Sequence, residues 1–261
     1  RFDIAFYGII IGLGIAMGYI VASFQATRTG QDKEVYLDFA MYAVVVSIIG
    51  ARIYYVVFSW DDYKDDIIQV FNLRAGGLAI YGGVIGGIIT AIVYTKIKKM
   101  KFTLLADTAC VGLLTGQIIG RWGNFFNREA FGDYTNNLFA MRLSTYDVNQ
   151  NAITKKMLEM AEEGNYVGFI QVHPTFLYES VWNLILLICI LLYTKHKKFD
   201  GELFLMYMGG YGLGRAFIEG LRTDQLTLGD TGIAVSQVLA FALFVTSLGL
   251  IIYKRVTLKK K

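Results

Sequence analysis

Seven stretches of roughly twenty apolar residues, divided by short charged segments, make up most of this chain. They lie at about 4–24, 37–58, 76–95, 103–121, 176–194, 202–220 and 232–253. Roughly 20 apolar residues carry a helix across a bilayer, where the backbone must satisfy its own hydrogen bonds. The stretches at 103–121 and 202–220 carry more polar residues than the others. Only 18% of the 261 residues are charged and 55% are apolar, against about 25% charged in soluble domains. One proline and 28 glycines suit apolar helices that pack closely in lipid. The reading is an all-α polytopic membrane protein with seven transmembrane helices. No repeat of fixed period is visible.

Lysine and arginine in short loops set the orientation of such a chain. Arg28 and Lys33, then Lys96, Lys98, Lys99 and Lys101, then Lys195, Lys197 and Lys198, and finally Lys254, Arg255, Lys259, Lys260 and Lys261 fall on one side of a seven-span protein. The short segments of the other side hold Arg1, Lys64, Arg74 and Arg222, beside the acidic run Asp61, Asp62, Asp65 and Asp66. This predicts a cytoplasmic C-terminus and an external N-terminus. The chain then divides into helices 1–4 over 1–121, an external head over 122–175 between the fourth and fifth helices, and helices 5–7 over 176–261. Within the head, 152–163 reads as an amphipathic helix, and 138–143 and 168–172 as strands. Arg1 stands directly before an apolar run, which predicts a short preceding piece and no cleavable signal peptide.

Several chemistries are set aside. The basic residues sit in clusters between apolar spans, which argues against a nucleic-acid partner. Cys110 and Cys189 lie in apolar runs and read as packing residues. His173 and His196 are far apart with no cysteine near either, so no metal site is expected. His196, among Lys195, Lys197 and Lys198, reads as an interfacial bystander.

Once orientation is assigned, each polar residue within a span acquires a depth. Tyr7, Arg52, Tyr81, Arg121 with Asn124, His173 with Tyr178 and Glu179, and Arg215 with Glu219 all fall in the outer half. A charge at the centre of a span is costly, so buried ones face a cavity or a partner. Arg52, alone near a span end, reads as snorkelling to the headgroups. Arg215 and Glu219, four apart, form either an internal pair or part of a cavity. Six helices bringing polar groups to one level favour a cavity. Gly82 and Gly83 beside Tyr81, and Gly209, Gly210, Gly212 and Gly214 around Tyr211, make room there, while Gly86 and Gly87 read as helix packing. The planar fork of arginine suits a phosphate. Arg121 and Arg215 on separate helices are placed to hold one phosphodiester, with Asn124, Asn127 and Tyr211 as neutral donors.

The segment Gly120-Arg121-Trp122-Gly123-Asn124-Phe125-Phe126-Asn127-Arg128-Glu129-Ala130-Phe131-Gly132 resembles the signature of the prolipoprotein diacylglyceryl transferases at every fixed position. Three further segments resemble the same family in the same order. They are Gly76 to Gly83, His173-Pro174-Thr175-Phe176-Leu177-Tyr178-Glu179, and Tyr211-Gly212-Leu213-Gly214-Arg215 with Glu219 and Arg222. Phe6-Tyr7-Gly8 matches the family's opening Trp-Tyr-Gly, so the likeness runs from Tyr7 to about Gln225.

The resemblance implies a bacterial cytoplasmic-membrane enzyme whose site faces the outer leaflet. It implies transfer of the diacylglyceryl group from phosphatidylglycerol to the lipobox cysteine thiol of a prolipoprotein, with loss of glycerol phosphate. Phosphatidylglycerol is a substrate, and no cofactor is implied. Arg121 and Arg215 take the catalytic positions; Tyr7, Tyr81, Asn124, Asn127, Glu129, Gly132, Tyr211, Glu219 and Arg222 take substrate-binding ones. His173, Tyr178 and Glu179 stand as further candidates. Some members carry histidine where this chain has Tyr81, and a phenol of pKa near 10 is a poor base at neutral pH. His173 directly precedes Pro174 and reads as a helix cap. A transporter would instead place its site at the midplane between repeated halves.

Overall fold

The computed structural model describes residues 6–73, 76–225 and 234–260. Arg1, Arg74 and Lys261, which entered the orientation argument, lie outside them. The elements in chain order are α1 (Phe6–Arg28), α2 (Lys33–Phe58), α3 (Ile80–Ile97), α4 (Phe102–Asn127), β1 (Met141–Ser144), α5 (Lys155–Glu163), β2 (Phe169–Val172), α6 (Thr175–Tyr193), α7 (Glu202–Glu219) and α8 (Val235–Lys259). Among the described residues, α1, α2, α3, α4, α6 (with its short extension to His196) and α8 are long and apolar enough to cross a bilayer, which makes this a polytopic membrane protein. The stretch read as the sixth span is also a helix, α7, of 18 residues. Glu202, Arg215 and Glu219 lie within it, so composition does not mark it as the others are marked.

Two compact units emerge, one built from residues 22–109 and the other from 1–21 with 110–261. In the 22–109 unit, Asp32 caps α2 by accepting from the Glu34 N–H. α2 and α3 meet backbone to backbone: a Cβ on Gly50 would stand 2.6 Å from the Gly82 carbonyl oxygen. In lipid such contact replaces the missing hydrophobic drive between helices. α3 starts later than the sequence predicts, because Gly76 and Gly77 hold φ of 88° and 77°, outside the helical region. Ala26, Tyr36 and Leu105 form this unit's core.

Arg52 belongs to the same unit, and the snorkelling reading fails there. Its side chain is 6% exposed. Nε donates to the Val70 carbonyl at 2.7 Å, Nη1 to Gly76 at 2.8 Å and Gly77 at 2.9 Å, and Nη2 to Gln69 at 2.6 Å and Asn72 at 3.3 Å. The guanidinium thus spends its five N–H groups on folding the segment between α2 and α3, and the Tyr63 ring lies 5.1 Å from its carbon.

In the other unit, Cys110, Val111 and Leu114 of α4 pack with Leu187 and Ile190 of α6 and Leu203 and Tyr207 of α7. Close backbone approaches join α1 to α4 at Gly18 and Gly112, and α7 to α8 at Gly212 and Ala240. Glu202, with no exposed surface, accepts from Arg255 Nε at 2.6 Å and from the Lys198 backbone N–H at 2.5 Å.

Between α4 and α6 the chain builds a small subdomain. β1 and β2 pair antiparallel, with Met141 opposite Val172 and Ser144 opposite Phe169. They cover a core of Phe131, Leu143, Val148, Ala152, Met157, Ile170 and Val172. The amphipathic helix read at 152–163 is α5, which starts at Lys155 because Thr154 caps it by accepting from the Met157 N–H. Isolated bridges link Tyr134 to Val172 and Gly132 to Arg222. α4 runs past position 121, where the sequence reading ended the fourth span, to Asn127. Trp122, Phe125 and Phe126 are apolar enough to extend it. It stops where Arg128 and Ala130 adopt φ of 52° and 57° and the Glu129 N–H returns to the Asn124 carbonyl.

Candidate active site

The C-terminal turns of α4, the first turns of α6 and the last turns of α7 bring their ionised side chains into one line. Arg121 Nε meets Glu179 Oε2 at 2.9 Å. The other oxygen of Glu179 accepts from Arg215 Nη1 at 2.8 Å. Arg215 Nη2 meets Glu219 Oε2 at 2.6 Å, and Arg222 Nη1 meets the same oxygen at 3.7 Å. Arg222 then grips Asp224 with a two-pronged contact at 2.9 and 2.8 Å. Ser236 at the start of α8 donates to Glu219 Oε1 at 2.7 Å. The order Arg121, Glu179, Arg215, Glu219, Arg222, Asp224 alternates in sign throughout.

Burial separates the inner members of this line by charge. Glu179 and Glu219 are each 4% exposed, whereas the side chains of Arg121 and Arg215 keep 20% and 17% of their surface. At Arg121 and Arg215 an arriving ligand therefore meets guanidinium before the carboxylates of Glu179 and Glu219, while Asp224, at the far end, is the more exposed carboxylate. Near-complete burial is tolerable for Glu179 because two guanidiniums flank it; removing one partner of such a group is strongly destabilising. Asp224, beyond the end of α7, feels opposing pulls. Burial raises its proton affinity, but the hydrogen bonds and charge of Arg222, with the charge of Arg215, bring its carboxyl below the usual range.

Other candidates surround this line. Arg121 Nη1 donates to Asn124 Oδ1 at 3.3 Å, and Asn124 Nδ2 donates to Glu129 Oε1 at 2.9 Å, where Asn127 Nδ2 also arrives at 3.3 Å. The signature residues thus form one hydrogen-bonded patch at the end of α4. Tyr7 packs its ring against Gly123. Tyr211 lies with its ring 6.0 Å from that of Tyr207. Gly132 is a seam: its N–H donates to the His173 carbonyl at 3.0 Å, and a Cβ there would come within 2.8 Å of His173 Cβ and of the Leu221 carbonyl oxygen.

His173 does not cap α6, contrary to the sequence reading. The helix begins after Pro174 with no side-chain cap, and Nδ1 of His173 lies 3.2 Å from Tyr178 Oη. Tyr178 Oη also accepts from Asn137 Nδ2 at 3.0 Å, tying the subdomain to α6. Burial lowers the proton affinity of the imidazole, Asp133 raises it and Lys156 lowers it again, with a net fall. Tyr81 belongs to the 22–109 unit, where it is 61% exposed with its ring 6.3 Å from that of Tyr54.

Sequence reasoning undervalued Glu179 and missed Ser236 and Asp224. Glu179 had a usable signal: two arginines at one depth of a membrane call for a carboxylate between them, and Glu179 stands at that depth in α6. Ser236 had none, because nothing local says that the first turn of α8 reaches α7.

Residues 1–253 match the sequence profile of a family described as prolipoprotein diacylglyceryl transferase. Relatives bear the name phosphatidylglycerol–prolipoprotein diacylglyceryl transferase. One from Halalkalibacterium halodurans is 42% identical over 256 residues, covering 97% of this chain and 83% of the relative. One from Listeria innocua is 43% identical, covering 97% and 87%. One from Clostridioides difficile is 43% identical over 232 residues, covering 89% and 84%.

Proposed function

Because the chain belongs to the prolipoprotein diacylglyceryl transferase family, we propose that it moves the diacylglyceryl group of phosphatidylglycerol onto the lipobox cysteine of a prolipoprotein. A thioether forms and glycerol phosphate leaves. The observation that carries the assignment to residues is the pair Arg121 and Arg215, from α4 and α7, meeting on one buried carboxylate with their own faces part-exposed. Two forks converging from two helices suit a phosphodiester.

The chemistry follows from where charge grows. As sulfur attacks the glyceryl carbon, the carbon–oxygen bond to phosphorus breaks and the departing phosphate gains negative charge. Guanidiniums set beside that oxygen stabilise the transition state more than the ground state. Asn124 orients Arg121, and Glu219 with Arg222 orients Arg215. Tyr7, Asn127, Glu129 and Tyr211 line the lipid and peptide approaches, and Gly132 holds the subdomain seam against Arg222. In this reading α7 is a seventh span, since its charges find partners within the protein. The lysine-rich loops support a cytoplasmic C-terminus, and with it a site that opens at the outer leaflet of the bacterial cell membrane beneath an external head. No cofactor is required.

The test is incubation of the purified chain with labelled phosphatidylglycerol and a lipobox peptide. The expected product is a cysteine carrying diacylglyceryl mass, with Arg121→Ala and Arg215→Ala each lowering the rate by about 100-fold or more. Wild-type rates in both variants would remove these arginines from the mechanism.

A further inference from the structure

The identity of the group that accepts the thiol proton can be argued from the charge line. Arg121, Arg215 and Arg222 balance Glu179, Glu219 and Asp224, so the line is neutral when empty. A phosphodiester adds one negative charge. If Arg121 and Arg215 turn their forks to it, the three carboxylates do not suffer equally. Glu219 retains Ser236 and Arg222, and Asp224 retains the Arg222 fork. Glu179 holds its contacts through Arg121 and Arg215 themselves. It is also 4% exposed, so water does not replace what it loses. A buried carboxylate stripped of its counter-charges is costly and is relieved by binding a proton. The arriving thiol has one to give, and it attacks only as thiolate.

We propose that Glu179 is the base of the reaction, made available when the lipid phosphate draws Arg121 and Arg215 away from it. This rests on the reading of those two arginines as the phosphate-binding pair. The step balances. The S–H proton passes to a Glu179 oxygen, the sulfur pair forms the S–C bond, and the C–O pair leaves with the phosphate of glycerol phosphate. Glu179 then returns its proton to that monoester and recovers both arginines as the product departs. The line is neutral when empty, carries the single negative charge of the bound lipid, and is neutral again once the product has left. Phosphatidylglycerol thereby unmasks the base, so a thiol arriving without lipid finds Glu179 occupied. Tyr81, which stands where some members of the family carry histidine, is not needed for this step.

The experiment compares two lipobox peptides, one with cysteine and one with selenocysteine, whose selenol is ionised at neutral pH without help. With the cysteine peptide, Glu179→Gln is expected to lower kcat by about 100-fold or more, leaving KM for phosphatidylglycerol unchanged or lower. With the selenocysteine peptide most of that loss is expected to vanish. An equal loss with both peptides, or a loss seen wholly as a higher KM for the lipid, overturns the proposal and leaves Glu179 a structural tie. The readout is a ratio of rates on one preparation, so a partly folded variant still answers. Should Glu179→Gln not accumulate, Glu179→Asp is read by the same ratio, again expected to favour selenocysteine relative to wild type. Absence of thioether product from the wild-type protein would instead overturn the transferase reading itself.

Discussion

The ring of Tyr7 fills the space that Gly123 leaves open on α4: a Cβ at Gly123 would lie 2.8 Å from Cδ2 and 2.9 Å from Cε2 of that ring. The first helix therefore docks on the signature segment through an aromatic residue that reaches the end of α4. Gly123→Ala is expected to displace the ring, cost about 1–3 kcal/mol of stability as overpacking, and raise KM for phosphatidylglycerol. Tyr7→Ala should weaken binding too, and the double variant should be no worse than Tyr7→Ala alone. Thermal midpoints in detergent and lipid titrations check this; additive losses would uncouple the two residues.

Arg52 makes a second test, confined to the 22–109 unit. Lysine offers three donors in place of five, so Arg52→Lys leaves at least two of the carbonyls of Gln69, Val70, Asn72, Gly76 and Gly77 without their partner. The segment is largely exposed, and water will recover part of the loss. The expected cost is about 1–3 kcal/mol in total, with faster proteolytic cleavage between α2 and α3. Unchanged cleavage would show that the segment folds without the guanidinium.

Acidification provides a third. Burial is the largest influence on His173 and holds its imidazole below the ordinary value. The unfolded chain then binds the proton at higher pH than the folded one does. Stability is full above an ordinary histidine value of about 6.5 and falls as pH drops through it. Thermal midpoints between about pH 8 and 5 should decline more in the wild type than in His173→Asn. Parallel declines would place the acid sensitivity elsewhere.

Ala130 supplies a stabilising substitution. It sits at φ 57°, a left-handed conformation unfavourable for a residue with a Cβ. Its carbonyl accepts from Thr175 Oγ1, which a glycine would preserve. Ala130→Gly is expected to gain up to about 1 kcal/mol after the entropy of glycine is subtracted, whereas Ala130→Val should lower stability. A lower midpoint for the glycine variant would contradict the strain argument.

The helices and the signature were legible because each depends on residues close in the chain. Apolar length marked the six spans, and the run from Gly120 to Gly132 announced the arginine end of α4. What escaped depends on distant partners. Arg52 looked like any arginine near a membrane surface until its five carbonyls, 17 to 25 positions onward, were seen to fold back on it. Glu179 stood beside Tyr178 with no local mark of its bridging place between α4 and α7. The end of α4 moved from position 121 to Asn127 because left-handed residues terminate it, and alanine and arginine do not advertise that conformation. Gly132, read as a ligand position, is also the contact through which the subdomain meets Arg222.

The alternating line from Arg121 to Asp224 also bears on how the enzyme experiences an energised membrane. Voltage acts on net charge, at about 2.3 kcal/mol for each elementary charge carried across 100 mV. Three guanidiniums and three carboxylates sum to nothing, so small shifts of the empty line cost no electrical work. The incoming phosphate would be the first net charge added to that line for the field to grip.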